Sequence, residues 1–137
     1  MVNIGTPRKL SKSLIDCCEQ GVLSVHPGYL PKYRGCSAVE HAILNGDTIF
    51  NTAFFMSEEY DAGPILMKES CYFNKKYTYF EFRTAIHKSG ISLICKAINL
   101  IDKENINYRN LPKQKIKASL NKPVNISVVL DFLDKNK

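Results

Sequence analysis

No apolar run in this chain approaches the roughly 18 residues that a membrane span needs. Its amino terminus, Met1-Val2-Asn3-Ile4-Gly5, has no charged region leading into a long apolar stretch and small cleavage residues. These absences set the expectation of a soluble, cytoplasmic protein. Paired cysteines are lacking as well: Cys17, Cys18, Cys36, Cys71 and Cys95 are odd in number and show no C-x-x-C spacing. That sets aside a disulfide framework and a zinc site, and leaves reduced, mostly buried thiols as the expectation. The formal charge of +6 makes no dense basic cluster with interleaved aromatics. Much of the excess lies between Lys103 and Lys137, in an Asn- and Lys-rich stretch that reads as a solvated tail rather than a phosphate-tracking surface. There is no internal repeat. What remains is 137 residues with 45% apolar content, enough for one domain with a modest core.

Met1 to Ile4 reads as a strand ended by Gly5-Thr6-Pro7, and Ser11 or Ser13 caps a short helix through Cys18 that stops at Gly21. Val22 to His26 is a short buried strand. Ser37-Ala38-Val39-Glu40 has capping-box form and predicts a helix running to Asn45. Ile49 to Met56 and Pro64 to Phe73 read as strands of a hairpin-like antiparallel pair, joined by an acidic loop from Ser57 to Gly63. Thr78-Tyr79-Phe80-Glu81 is a second capping box. It opens the longest helix, whose apolar stripe of Phe82, Ile86, Leu93, Ala97, Ile98 and Ile101 runs to about Asp102. Residues 1–103 thus form the main unit and 104–137 a basic extension expected to be weakly ordered, with Val128 to Leu133 a short strand or a helical turn.

The period of two along a strand puts Ser24 and His26 on one face and Leu23 and Val25 on the other. Two polar side chains converge where the strand gives way to a rigid loop, His26-Pro27-Gly28-Tyr29-Leu30-Pro31-Lys32-Tyr33-Arg34-Gly35. The carboxyl end of a strand in an open α/β sheet is a favoured place for a binding or catalytic crevice. Acyl-group transfer needs one group to polarise a carbonyl, one to move a proton and one to tune the histidine. Asp61, in Tyr60-Asp61-Ala62-Gly63-Pro64-Ile65, is the best partner candidate if the two strands are sheet neighbours. Arg34 suits a substrate phosphate or carboxylate, with Gly35 beside it, and equally suits bracing of the loop through backbone carbonyls. His41 and His87 lie within predicted helices without partners at ligand spacing, so no metal site is expected.

The His26 to Gly35 loop, Ile43-Leu44-Asn45-Gly46-Asp47, Thr52 to Met56 and Asp61-Ala62-Gly63-Pro64-Ile65-Leu66 resemble, in order and spacing, the 10-formyltetrahydrofolate-dependent formyltransferases. The resemblance covers residues 1 to 75 and extends into the long helix. It implies a Rossmann-like mixed sheet, part parallel and part antiparallel and flanked by helices, that lacks the first βα units. It further implies that His26 assists the tetrahedral intermediate, and that Asp61 holds the histidine protonated and relays the amine proton. The formyl donor would be 10-formyltetrahydrofolate, and the acceptor a small primary amine such as an amino sugar. Nucleic acid enters only as a tRNA-borne amine. The loop around Pro7, Arg8, Lys9 and Leu10 resembles the segment lining the pterin pocket, and Glu58, Glu59 and Tyr60 belong to the loop that closes its other side.

Where the family carries Asn-x-His, this chain carries Ser24-Val25-His26. Losing a well-placed oxyanion donor costs about 100- to 1,000-fold in turnover. A non-catalytic folate-binding or interaction module is therefore the alternative expectation. An exposed edge along the first strand implies self-association or completion by an amino-terminal half; a longer natural polypeptide, with Met1 internal to it, is a further alternative.

Overall fold

The structure, a computed structural model, describes residues 1–6, 8–72, 77–117 and 119–135. Among these the strands Val2–Asn3 (β1), Leu23–His26 (β2), Phe50–Phe55 (β3) and Ile65–Ser70 (β4) make one sheet in the order β1-β2-β3-β4. β1 runs parallel to β2, whereas β2 and β3, and β3 and β4, are antiparallel. The helices are Lys12–Asp16 (α1), Ala38–Leu44 (α2), Tyr79–Glu104 (α3) and Ile126–Lys135 (α4). This is the mixed, helix-flanked α/β sheet that the resemblance implies. No described helix is long and apolar enough to cross a membrane.

Strand alternation divides the sheet into two working faces. Leu23 and Val25 of β2, with Ala53 and Phe55 opposite them on β3, pack against Leu93, Ile94 and Ala97 of α3. Burying a leucine or phenylalanine is worth about 1.5–3 kcal/mol, so this layer fixes the register of β2. The other face receives Ser24 and His26, with Phe54 and Thr52 as their partners on β3. A slip of one residue would exchange the two sets.

α3 begins at the expected capping box: Glu81 N–H donates to Thr78 Oγ1, and Thr78 N–H donates to Glu81 Oε2. Its buried positions are Ile86, Gly90, Leu93, Ile94 and Ala97. Ile98, expected in the stripe, is 43% exposed. Ile94 takes the place because steps of three and four residues from Ile86 keep to one side of the helix, whereas residue 98 has turned past it.

Three further expectations are corrected. Ser37 does not cap α2: it sits at φ 50° and makes no side-chain cap bond, and its hydroxyl accepts from Val124 N–H instead. Glu40 is drawn away by long-range partners, taking the Tyr79 hydroxyl at 2.5 Å and Arg83 Nη1 at 3.2 Å. The thiols are all free, but only Cys71 is buried; Cys17, Cys36 and Cys95 are exposed, placed on outward sides of their segments. Described residues of the segment 104–137, expected to be weakly ordered, contact the rest of the chain. Asn121 pairs with Gly35, His41 donates to the Lys122 carbonyl, and Val129 of α4 is fully buried. Val129, Phe132 and Leu133 pack on the core at helical spacing, so the stretch expected as a short strand or helical turn is the ten-residue helix α4; the backbone contacts of Asn121 and Lys122 leave no periodic signal in the sequence.

α1 is capped by Ser11, whose hydroxyl accepts from Leu14 N–H. The carboxyl end expected for the second hairpin strand, at Phe73, lies outside the described residues.

Candidate active site

His26 ends β2 and is 7% exposed. Its Nε2–H donates to the Tyr33 carbonyl at 2.6 Å, so the loop that follows the strand turns back and fixes the ring. The other nitrogen, Nδ1, stands 3.5 Å from Asp61 Oδ1. Charge attraction acts at that separation, and catalytic pairs commonly tighten once substrate is bound. Gly28 makes this compact geometry possible, because a Cβ there would stand 2.7 Å from His26 Nε2. Thr52, opposite His26 on β3, donates to the Gly28 carbonyl at 2.6 Å and holds the loop down.

Burial pushes the His26 imidazole below its usual pKa, against the opposing pull of Asp61 and of the Tyr33 carbonyl. The ring therefore rests neutral near neutral pH. This differs from the expectation that Asp61 keeps it protonated: the cost of charging a buried ring outweighs a carboxylate 3.5 Å away.

Asp61 comes from the loop between β3 and β4 and adopts φ 50°, a left-handed conformation that aspartate tolerates better than most residues. Its Oδ2 accepts from Gly35 N–H at 2.8 Å, leaving Oδ1 for the histidine. Gly63 then passes so close to β3 that a Cβ would meet the Phe55 carbonyl oxygen at 1.8 Å. The loop is held from beneath by Arg34. That residue is 5% exposed, and its Nε and Nη2 donate to the Tyr60 carbonyl at 3.2 and 2.6 Å. Of the two roles open to Arg34 in sequence, the geometry is that of loop bracing, and Gly35 touches the aspartate rather than open space.

A cleft of ≈ 180 Å³ opens above these groups, lined by Asn3, Ser24, His26 and Asp61 together with Gly5, Thr6, Met56 and Ser57. Arg8, Lys9, Leu10, Glu59 and Tyr60 line it, and Lys9 Nζ lies 5.1 Å from the centre of the Tyr60 ring. Glu58 is exposed and does not line it, and Pro7 lies outside the described residues. Ser24 lines the cleft, but its hydroxyl donates to the Asn3 carbonyl at 2.8 Å.

Residues 1–98 match the formyl transferase family model. The chain belongs to the formyl transferase family. The methionyl-tRNA formyltransferase of Fusobacterium nucleatum is 31% identical over 106 residues, a match that spans 77% of this chain and 34% of that enzyme. The Clostridium tetani enzyme of the same name is 34% identical over 98 residues, covering 71% of this chain and 32% of the enzyme. The chain thus spans about a third of the length of these curated relatives. Among solved structures, the formyltransferase PseJ from Anoxybacillus kamchatkensis, in complex with a formamido UDP-sugar and tetrahydrofolate, shares the fold. Its TM-score is 0.74 at 16% identity, over 88% of this chain and 62% of that one. Phosphoribosylglycinamide formyltransferase from Bacillus halodurans superposes with a TM-score of 0.64 at 26% identity, over 77% of this chain and 56% of its own.

Two residues at this candidate site were not singled out from sequence. Asn3 enters the cleft because β1 lies in parallel register with β2, a pairing that no local pattern encodes. Gln114 reaches in from beyond the family match: its Nε2 donates to the Asp61 carbonyl at 3.1 Å and to the Gly63 carbonyl at 2.7 Å. The sequence signal available for Asn3 was its polarity next to an apolar strand. For Gln114 there was none.

Proposed function

We propose that this chain carries the donor-side and catalytic part of a formyl-transfer site, moving a formyl group from 10-formyltetrahydrofolate to a primary amine of a small substrate such as an amino sugar. The observation that carries the reading is His26 held between the Tyr33 carbonyl and Asp61 on the floor of the cleft.

The cleft suits such a donor chemically. Leu10, Pro27 and Phe54 give it apolar wall for a flat ring, while Asn3, Ser24, His26 and Asp61 supply polar groups in the same space. Arg8 and Lys9 are placed to meet anionic groups at its rim. The donor supplies a formyl carbon activated by its attachment to nitrogen. Asp61 accepts the proton that the attacking amine releases, directly or through water, and relays it to His26 Nδ1. The carboxylate restored by that relay stabilises the imidazolium, which passes the same proton to the nitrogen that leaves. The neutral resting ring suits this role, because a group of lowered pKa gives up its proton readily once charged.

A second reading, donor binding without turnover, draws support from Ser24, whose hydroxyl proton is already committed to the Asn3 carbonyl. A methionyl-tRNA acceptor is the alternative within the first reading, supported by relatives more than 30% identical. Calorimetry with 5-formyltetrahydrofolate, followed by transfer assays offering amino sugars and initiator methionyl-tRNA, separates these. Binding with transfer to an amino sugar supports the proposal, binding without transfer supports the second reading, and absence of both removes it.

A further inference from the structure

Adding an amine to a formyl carbon pushes an electron pair onto the formyl oxygen, and the pair returns when the carbon–nitrogen bond to the donor breaks. A buried cleft must meet that transient charge with a hydrogen-bond donor aimed at the oxygen. Ser24 is poorly placed to serve, since its single hydroxyl proton is given to the Asn3 carbonyl at 2.8 Å. His26 has given its Nε2–H to the Tyr33 carbonyl. The neighbouring strand offers what both lack.

Asn3 stands opposite Ser24 in the parallel β1–β2 pair and lines the same cleft as His26 and Asp61. Its amide is oriented from outside: the Thr6 hydroxyl donates to Asn3 Oδ1, which turns Nδ2 the other way. Nδ2 carries two hydrogens. Among the described residues its partner is the Met56 thioether at 3.0 Å, a weak acceptor that takes one of the two hydrogens and leaves the other for a ligand oxygen. The carbonyl that immobilises Ser24 belongs to the same residue, so the two strands are tied at the point where the amide enters the cleft.

We propose that Asn3 is the oxyanion donor of this site, its Nδ2–H hydrogen-bonding the formyl oxygen as charge builds there. The assignment rests on the formyl-transfer reading above. It places the carboxamide on β1, beside the serine that occupies the usual β2 position.

The test has a spectroscopic and a kinetic arm. In ¹⁵N-labelled protein the Asn3 side-chain amide pair is assigned by its loss in Asn3→Asp, a variant that keeps an oxygen for Thr6 and the side-chain size. Titration with 5-formyltetrahydrofolate is expected to shift that pair further than titration with tetrahydrofolate, which has no formyl oxygen. Equal shifts with both ligands overturn the assignment while leaving donor binding intact; no binding of either removes the formyl-transfer reading and the assignment with it. In the transfer assay, Asn3→Asp and Asn3→Ala are expected to lower kcat about 100- to 1,000-fold with a wild-type dissociation constant for 5-formyltetrahydrofolate. A wild-type kcat in either folded variant overturns the role of Asn3 and leaves formyl transfer standing.

Discussion

His26 gives its Nε2–H to the Tyr33 carbonyl 2.6 Å away, which makes Nδ1 the nitrogen that faces Asp61. One backbone oxygen therefore selects the tautomer. Any proton that His26 gains during the reaction arrives on the side of the carboxylate, where its charge is best tolerated.

The same burial makes a prediction about stability. The folded ring titrates below the 6.5 of a free histidine, so above pH 6.5 both folded and unfolded states hold it neutral and its contribution is fully present. As pH falls below that value the unfolded chain takes up the proton first, and stability is lost until the folded ring protonates as well. Thermal unfolding of the wild type is expected to fall more steeply on acidification than that of His26→Gln. Parallel curves would show that the ring is not held neutral by burial.

Gly28 is predicted to be irreplaceable by alanine. The added methyl would stand 2.7 Å from His26 Nε2 and 2.8 Å from Ala38 Cβ, and it must push the ring off the Tyr33 carbonyl. Displacing a catalytic group by even an ångström can cost about 100-fold in rate. Gly28→Ala should therefore lose turnover while keeping the far-ultraviolet circular dichroism of the native fold. Full activity would mean that the ring position does not matter.

Gln114 tests whether residues beyond the family match support the site. Its two hydrogen bonds to the Asp61 and Gly63 carbonyls are each worth about 0.5–1.5 kcal/mol. Gln114→Ala is expected to lower the free energy of urea unfolding by about 1–3 kcal/mol on that basis. It should also raise the KM for the formyl donor, because the loop that carries Asp61 and lines the cleft loses its outer support. Unchanged stability and KM would mean that residues past the long helix do not contribute.

What sequence reveals about this protein divides by the range of the interactions involved. The β2 alternation was legible because Leu23 and Val25 are apolar and Ser24 and His26 are not, and a period of two needs no partner to be read. The Thr78–Glu81 box was legible because both halves of its bond lie within one turn. Ser37-Ala38-Val39-Glu40 has the same spelling and fails, because Tyr79 and Arg83 on another helix compete for Glu40 and Val124 takes Ser37. His26 and Asp61 could be paired from the loop signatures, whereas the neutral resting state of the ring depends on burial that no motif spells out. Arg34 could be read as a ligand or a brace. Only the position of the Tyr60 carbonyl decides between them.

The central claim is that His26, poised against Asp61, carries formyl transfer in this cleft, and one measurement bears on it most directly. The full chain is supplied with 10-formyltetrahydrofolate and the best acceptor amine, and tetrahydrofolate release is followed for wild type and His26→Ala. General acid–base catalysis by a positioned side chain is worth about 100- to 10,000-fold, so His26→Ala should lose nearly all of the wild-type rate while still binding 5-formyltetrahydrofolate. A His26→Ala protein that binds the ligand and keeps most of the wild-type rate would contradict the account.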